Sequence, residues 1–266
     1  MLRDEGRESI QKVVLIIEYD GTSYHGFQLQ AGLPTIQSEI EEAINKLTGE
    51  KLRIIGASRT DAGVHATGQV VSFRTRSPVP LRAYVYGLNH YLPEDIAVRA
   101  AYKVKSSFNV RRDAVSREYK YYILNSQARS PLRQKYSYWF DGKLDLENMN
   151  RACQSLLGRH DFISFATSVE DREKSTVRDI FRAEVERIED TVVFTIVANS
   201  FLPHQVRNTV GALIQVGWGK TSPDSFKNII EAKKPGLAGP TAPACGLCLL
   251  KVNYPVPFEE IYNEDL

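Results

Sequence analysis

Residues 56–68, GASRTDAGVHATG, set one acid, Asp61, between a guanidinium, Arg59, and an imidazole, His65. Ile54 and Ile55 precede the segment, and Val70, Val71 and Phe73 follow it, so it reads as a loop between two buried elements. A carboxylate held at such a point can act as a nucleophile or a base. The commoner use of an Asp beside Gly and Thr is a turn or a cap, and spacing alone does not decide between the two. No second acid lies nearby in the chain, which gives no support to two-carboxylate glycoside chemistry. The histidines at 25, 65, 90, 160 and 204 make no zinc pattern, and His65 reads as structural. There is no P-loop and no G-x-G-x-x-G, so no nucleotide cofactor is expected, and no metal.

A second set of residues could hold an anion. Lys103 and Lys105 lead into FNVRRDAVSREYKYY, which carries Arg111, Arg112, Arg117 and Lys120 among Tyr119, Tyr121 and Tyr122. Arg129, Arg133 and Lys135 follow, then Arg172, Lys174 and Arg178. Cations neutralise phosphates, and aromatic rings stack on bases that have left a helix, so RNA is a candidate partner. Solvated strand faces with half-buried tyrosines explain the pattern equally well. The net charge is only +2 and the pI about 8.3, so any such role depends on where the cations sit. Cys245 and Cys248 form a lone C-x-x-C inside ACGLCLLKV, which reads as one buried strand; its two thiols would face opposite ways, against metal or redox chemistry.

The elements that must position these groups are legible from periodicity. VVLIIEY at 13–19 predicts a buried strand. Ile36, Ile40, Ile44 and Leu47 predict a helix capped by Thr35 and ended by Gly49. Strands are expected at 69–75, 96–104 and 118–124, and a helix between Pro80 and Leu92. In the second half, Leu146, Met149, Cys153 and Leu156 predict a helix opened by Asp145 and closed by Gly158. Residues 177–188 and 191–198 read as a hairpin turning at Glu189-Asp190. Helices follow at Val206–Ile214 and around Phe226–Ile230, and the chain returns to a strand at 245–252.

Strands and helices mix without the regular alternation of a doubly wound sheet, which predicts an α+β protein in two halves. The division expected is a charged, frayed segment at 1–12, an N-terminal domain at 13–125 carrying Asp61, and a C-terminal domain at 126–266. With 42% hydrophobic and 25% charged residues among 266, a sizeable core is affordable. An odd cysteine count, no signal-peptide pattern and no membrane-length apolar run predict a cytoplasmic protein.

SRTDAGVHATGQVVSF resembles the catalytic motif of the TruA family of tRNA pseudouridine synthases. YDGTSYHGFQLQ, FNVRRDAVSREYKYYI, GRHDFISF, SFLPHQVRNTVGALIQVGWGK and APACGLCLLKVNY resemble other stretches of that family in the same order, over about residues 13–255. One departure is Ser58, where many members have Gly; it is small and is not expected to disturb the site. The resemblance implies the pseudouridine synthase fold, with antiparallel sheets joined across a central RNA-binding cleft. It implies an isomerase that breaks the bond from uracil N1 to ribose C1′, turns the base and rejoins it through C5, with no cofactor. It maps the essential aspartate onto Asp61 and its arginine partner onto Arg207. It implies that Arg59 assists base flipping, that Tyr119 stacks on the target base, and that Leu247 forms an apolar wall. Arg111, with Phe108 and Arg112 beside it and Lys174 further on, would contact RNA. The substrate implied is the anticodon stem-loop of tRNA, at uridines 38, 39 and 40 in conventional tRNA numbering, bound by a homodimer. A noncatalytic tRNA-binding protein on the same fold is the alternative; a hydrolase releasing free uracil would want an acid partner that the sequence lacks.

Overall fold

The run at 13–19 lies in β1 (Gln11–Tyr19), and it is apolar on both faces because it is central. A computed structural model describes residues 10–167 and 175–258 of the chain. β1 pairs antiparallel on one edge with β3 (His65–Thr75) and on the other with β4 (Ile96–Val104). Two helices, α1 (Ile36–Thr48) and α2 (Leu81–Tyr91), add Ile36, Ile40, Ile44, Tyr84 and Leu88 to the core that holds Val13, Leu15 and Ile17. The α1 boundaries follow from chemistry visible in the sequence. The Thr35 hydroxyl accepts the Ser38 N–H at 3.2 Å, the Ser38 hydroxyl accepts the Thr35 N–H at 3.0 Å, and Gly49 closes the helix at φ 77°.

The second half is built on β5 (Ser116–Leu124), β8 (Val177–Ile188) and β9 (Thr191–Ala198), with β7 (Gly158–Asp161) at the edge. Helices α3 (Leu146–Gln154), α4 (Gln205–Gly217) and α5 (Pro223–Ala232) contribute Met149, Cys153, Leu213 and Phe226 to the core. The predicted hairpin at 177–198 is present, turning at Glu189, which adopts φ 54°. Gly158 does not close α3, which ends at Gln154; it opens β7 in the left-handed region, at φ 87°.

The halves form one sheet in the order β4-β1-β3-β10-β5-β9-β8-β7, with β10 (Leu247–Asn253) at the joint. Two short strands sit off this path, β2 (Ile55–Gly56) on β3 and β6 (Tyr138–Trp139) on β5. The class is α+β, as expected. Its pairings are antiparallel except for β5 with β6 and, at the seam, β10 with β3. That seam pairing covers only Cys248 opposite His65 and Leu249 opposite Ala66. Further along β3 the same edge takes up β2 at Val71 and Ser72. The segment 57–64 leaves the sheet between those two pairings, so the loop that carries Asp61 emerges where the halves meet. The expectation that Cys245 and Cys248 share one strand is corrected: Cys245 lies in a 3₁₀ turn at Ala244–Gly246, and only Cys248 is in β10. Among the described residues no helix is long and apolar enough to cross a membrane.

Candidate active site

Asp61 begins a tight turn. The Val64 N–H donates to the Asp61 carbonyl at 3.2 Å, and Gly63 takes φ 77°, which a residue with a Cβ would adopt only under strain. The loop 20–27 clamps this turn from outside. The Phe27 N–H donates to the Thr60 carbonyl at 3.0 Å, and Gly26, at φ 87°, lies so close that an added Cβ would sit 2.7 Å from that same oxygen. His65 is structural, as expected. It is 6% exposed, its Nδ1 accepts the Gly21 N–H at 3.1 Å, and its Nε2 donates to the Lys135 carbonyl at 2.9 Å. The imidazole thereby ties the loop after β1 and the segment before β6 to the start of β3.

Arg207 reaches Asp61 from the first turn of α4. Its Nη1 donates to Asp61 Oδ2 at 3.0 Å, across 146 residues of chain. Arg207 Nε donates to the Ala242 carbonyl at 2.8 Å, and the Ala242 N–H returns to the Arg207 carbonyl at 3.1 Å, so the guanidinium is aimed before any ligand arrives. The strap at 240–242 lies hard against α4: a Cβ on Gly211 would stand 1.8 Å from the Pro240 carbonyl oxygen. His204 adds a second cationic-capable group. It caps α4 with φ 60° and ψ 0°, an uncommon conformation for a residue with a Cβ, and carries Nε2 to 3.5 Å from Asp61 Oδ2. Both side chains converge on Oδ2, and among the described residues no donor reaches Oδ1.

Tyr119, on β5, is 5% exposed. Its ring meets Phe201 edge-on at 5.3 Å and 90°, and its hydroxyl lies 2.8 Å from Ser58 Oγ. Burial pushes the phenol up to about 12; the Ser58 hydrogen bond works against this and the charge of Asp61 works with it. Ser58, expected to be neutral to the site, is thus engaged in it. Leu247 at the start of β10 is buried and lines the same space. Together Ser58, Arg59, Asp61, Arg111, Tyr119, His204, Arg207 and Leu247 line a cavity of about 860 Å³ at the seam of the sheet.

The predicted cations part company. Arg111 is exposed on the cavity and donates through Nη2 to the Gly56 carbonyl at 3.2 Å; burial lowers its pKa, and the neighbouring charge of Arg59 presses the same way. Arg112 points elsewhere, bonding Asp113 through Nε at 2.9 Å and the Ser107 carbonyl at 3.3 Å. Phe108 is not brought to the cavity; it packs on Tyr254 at 5.3 Å and Phe258 at 5.6 Å. Lys174 lies outside the described residues. Arg117, read among the possible phosphate contacts, is a correction: it is 6% exposed and braces four carbonyls, those of Ala57, Arg111, Ala114 and Asn199. Buried cations need such partners, and this one locks the loop that carries Asp61 to β5 and to the chain after β9.

Sequence reasoning missed His204, although its spacing of three from Arg207 puts both on one turn. It also missed Gln69, fully buried on β3, whose Nε2 donates to the Ser58 carbonyl at 2.8 Å while its Oε1 accepts the Ser58 N–H at 3.3 Å. A second cavity of about 450 Å³ is lined by Glu18, Asp20, Glu94 and Asp95. Arg99 lines it too, paired with Glu18 at 3.6 Å, and the remaining acidic excess suits a phosphate backbone less than the basic cavity does.

A family model for tRNA pseudouridine synthase matches residues 15–113 and 152–255. The chain is 46% identical over 245 residues to tRNA pseudouridine synthase A of Acetivibrio thermocellus, an alignment covering 92% of this chain and 100% of that one. It is 42% identical to the protein of the same name from Geotalea daltonii, with the same coverage. Against that of Legionella pneumophila strain Lens it is 41% identical over 252 residues, covering 95% of this chain and 96% of the other. With Asp61 and Arg207 meeting at the seam and matches of this extent on both sides of it, the chain belongs to the tRNA pseudouridine synthase family.

Proposed function

We propose that this isomerase converts uridine to pseudouridine in the anticodon stem-loop of tRNA, with Asp61 as the nucleophile. The observation that carries the reading is the Asp61–Arg207 pair, 3.0 Å apart at a basic cavity large enough for a nucleotide. The N1–C1′ bond breaks, the base turns, and a C5–C1′ bond forms. C5 loses one proton and N1 gains one, so atoms balance and no cofactor or energy source enters. Arg207 and His204 hold Oδ2, which leaves Oδ1 as the attacking oxygen.

The uridine must leave its stack to reach Asp61. Arg59, exposed at the rim, fills the space it vacates, while Tyr119 and Leu247 wall the flipped base. Arg59 and Arg111 both line the mouth, where their guanidinium groups suit a phosphate. Residues 13–125 supply the nucleophile and 126–266 its arginine. A homodimer in the cytoplasm completes the reading: with a net charge of only +2 per chain, two basic clefts side by side give tRNA a longer path.

The test is pseudouridine mapping of an unmodified tRNA transcript incubated with the pure protein. Pseudouridine is expected in the anticodon stem-loop, and Asp61→Asn, nearly isosteric but not nucleophilic, is expected to form none while still binding the transcript. Product at the parent rate in Asp61→Asn, or modification confined to another arm, overturns the assignment.

A further inference from the structure

A buried phenol needs a hydrogen-bond partner. The hydroxyl of Tyr119 has Ser58, whose Oγ is 2.8 Å away. Neither group is free to wander. Gln69 holds the Ser58 peptide from both sides, through its N–H and its carbonyl. The Tyr119 ring is fixed by Phe201 on its edge and by its place on β5 between β9 and β10. The residue before Ser58 is fixed as well, since Arg117 Nη2 donates to the Ala57 carbonyl at 3.2 Å. Two hydroxyls on held backbone therefore meet on the cavity wall, one from the loop that carries Asp61 and one from β5. A serine hydroxyl can both accept and donate, and it changes role by rotating about one bond.

We propose that Ser58 is a positioning residue for the isomerisation, its hydroxyl setting which way the Tyr119 O–H points toward the reacting base. In the resting site the Ser58 oxygen accepts a hydrogen bond from the phenol O–H; when the serine hydroxyl rotates to donate to the phenol oxygen instead, the phenol O–H is turned toward the base, and no proton changes owner. No bond to substrate is made or broken by Ser58; it acts through Tyr119. This rests on the reading of Tyr119 as the residue that faces the flipped base.

The experiment is a double-mutant cycle read by single-turnover pseudouridine formation on an unmodified tRNA transcript, with transcript affinity and thermal melting measured alongside. Ser58→Ala is expected to slow the single-turnover rate, measured well below the melting transition, roughly 3- to 10-fold, the size of one neutral hydrogen bond, with affinity unchanged and melting lowered modestly by the phenol's lost partner. Ser58→Gly is expected to do the same, which separates loss of the hydroxyl from any effect of the methyl group. In a Tyr119→Phe background, adding Ser58→Ala is expected to cost nothing more, because the partner hydroxyl is already gone. A parent-like rate in Ser58→Ala and Ser58→Gly, or an equal loss with and without the Tyr119 hydroxyl, overturns the inference and leaves the Tyr119 reading standing. A parent-like rate in Tyr119→Phe itself overturns both.

Discussion

Asp61 uses its two oxygens unequally. Oδ2 takes the Arg207 guanidinium at 3.0 Å, with the His204 imidazole at 3.5 Å, and Oδ1 faces the cavity without a protein donor among the described residues. A carboxylate gripped on one oxygen presents the other in a defined direction, which is what a nucleophile attacking one carbon needs. Arg207 can grip only because its fork spans two acceptors, Asp61 Oδ2 and the Ala242 carbonyl. A lysine ammonium is a single point and cannot serve both at these positions. Arg207→Lys is therefore expected to lower the single-turnover rate roughly 10- to 100-fold, the worth of one charge-assisted bond, while transcript affinity stays near the parent value. Equal losses in rate and affinity would instead make Arg207 an RNA contact.

At the scale of elements, α4 does for the site what no single side chain could. The helix is buried nearly all round, and its first turn delivers His204 and Arg207 to one carboxylate. Its height is set by contact with the strap at 240–242, which only a glycine at 211 permits. Gly211→Ala is expected to force helix and strap apart, lowering stability by about 1–3 kcal/mol in denaturant melts and lowering activity further, because Ala242 also aims Arg207. A variant as stable and active as the parent would mean that the close approach is not strict. β5 is the other organising element. Its buried tyrosines, Tyr119 and Tyr121, join Tyr19 of β1 in being pushed upward by desolvation. For Tyr119 the folded value is about 12, against about 10 for a free phenol. Its contribution to stability is therefore full below about pH 10 and is lost as pH rises through about 12. Denaturant midpoints are expected to hold steady up to the free-phenol range and fall beyond it; a midpoint falling well below pH 9 would point to another group.

For the whole molecule, a small net charge is compatible with tRNA because the charges are sorted. Acids gather in the cavity around Asp20 and Asp95, while Arg59, Arg111 and Arg207 gather at the seam. Counterion release then depends on a few cations. Arg111→Ala is expected to lower the slope of log affinity against log salt by roughly 0.7 to 0.9, one phosphate contact. Arg112→Ala is expected to change that slope less, since its guanidinium is already committed to Asp113 and Ser107. Salt titrations of transcript binding check both, and a parent slope in Arg111→Ala would take Arg111 off the RNA path.

Most elements were legible from the chain alone because hydrophobic period, caps and turn residues are local. The Thr35–Gly49 helix, the run at 13–19 and the hairpin turning at Glu189 all stand where the pattern puts them. Asp61 was legible as a candidate acid for the same reason, since its unusual company lies within thirteen residues. The pattern failed where local signals tie. Gly158 marks a left-handed position, but periodicity cannot say whether it ends a helix or starts a strand. A basic residue among tyrosines reads the same whether it lines an open cavity, like Arg111, or is walled in by carbonyls, like Arg117. The Arg207–Asp61 pair was expected from the resemblance and from no local pattern, and only the tertiary structure decided that His204 joins it and that Ser58 meets the Tyr119 hydroxyl. These pairs span from 61 to 146 residues, and nothing in a local period encodes distance across the chain. They exist because β10 returns to the seam between β3 and β5 and closes two halves of sheet into one, which brings loops from both to the same edge.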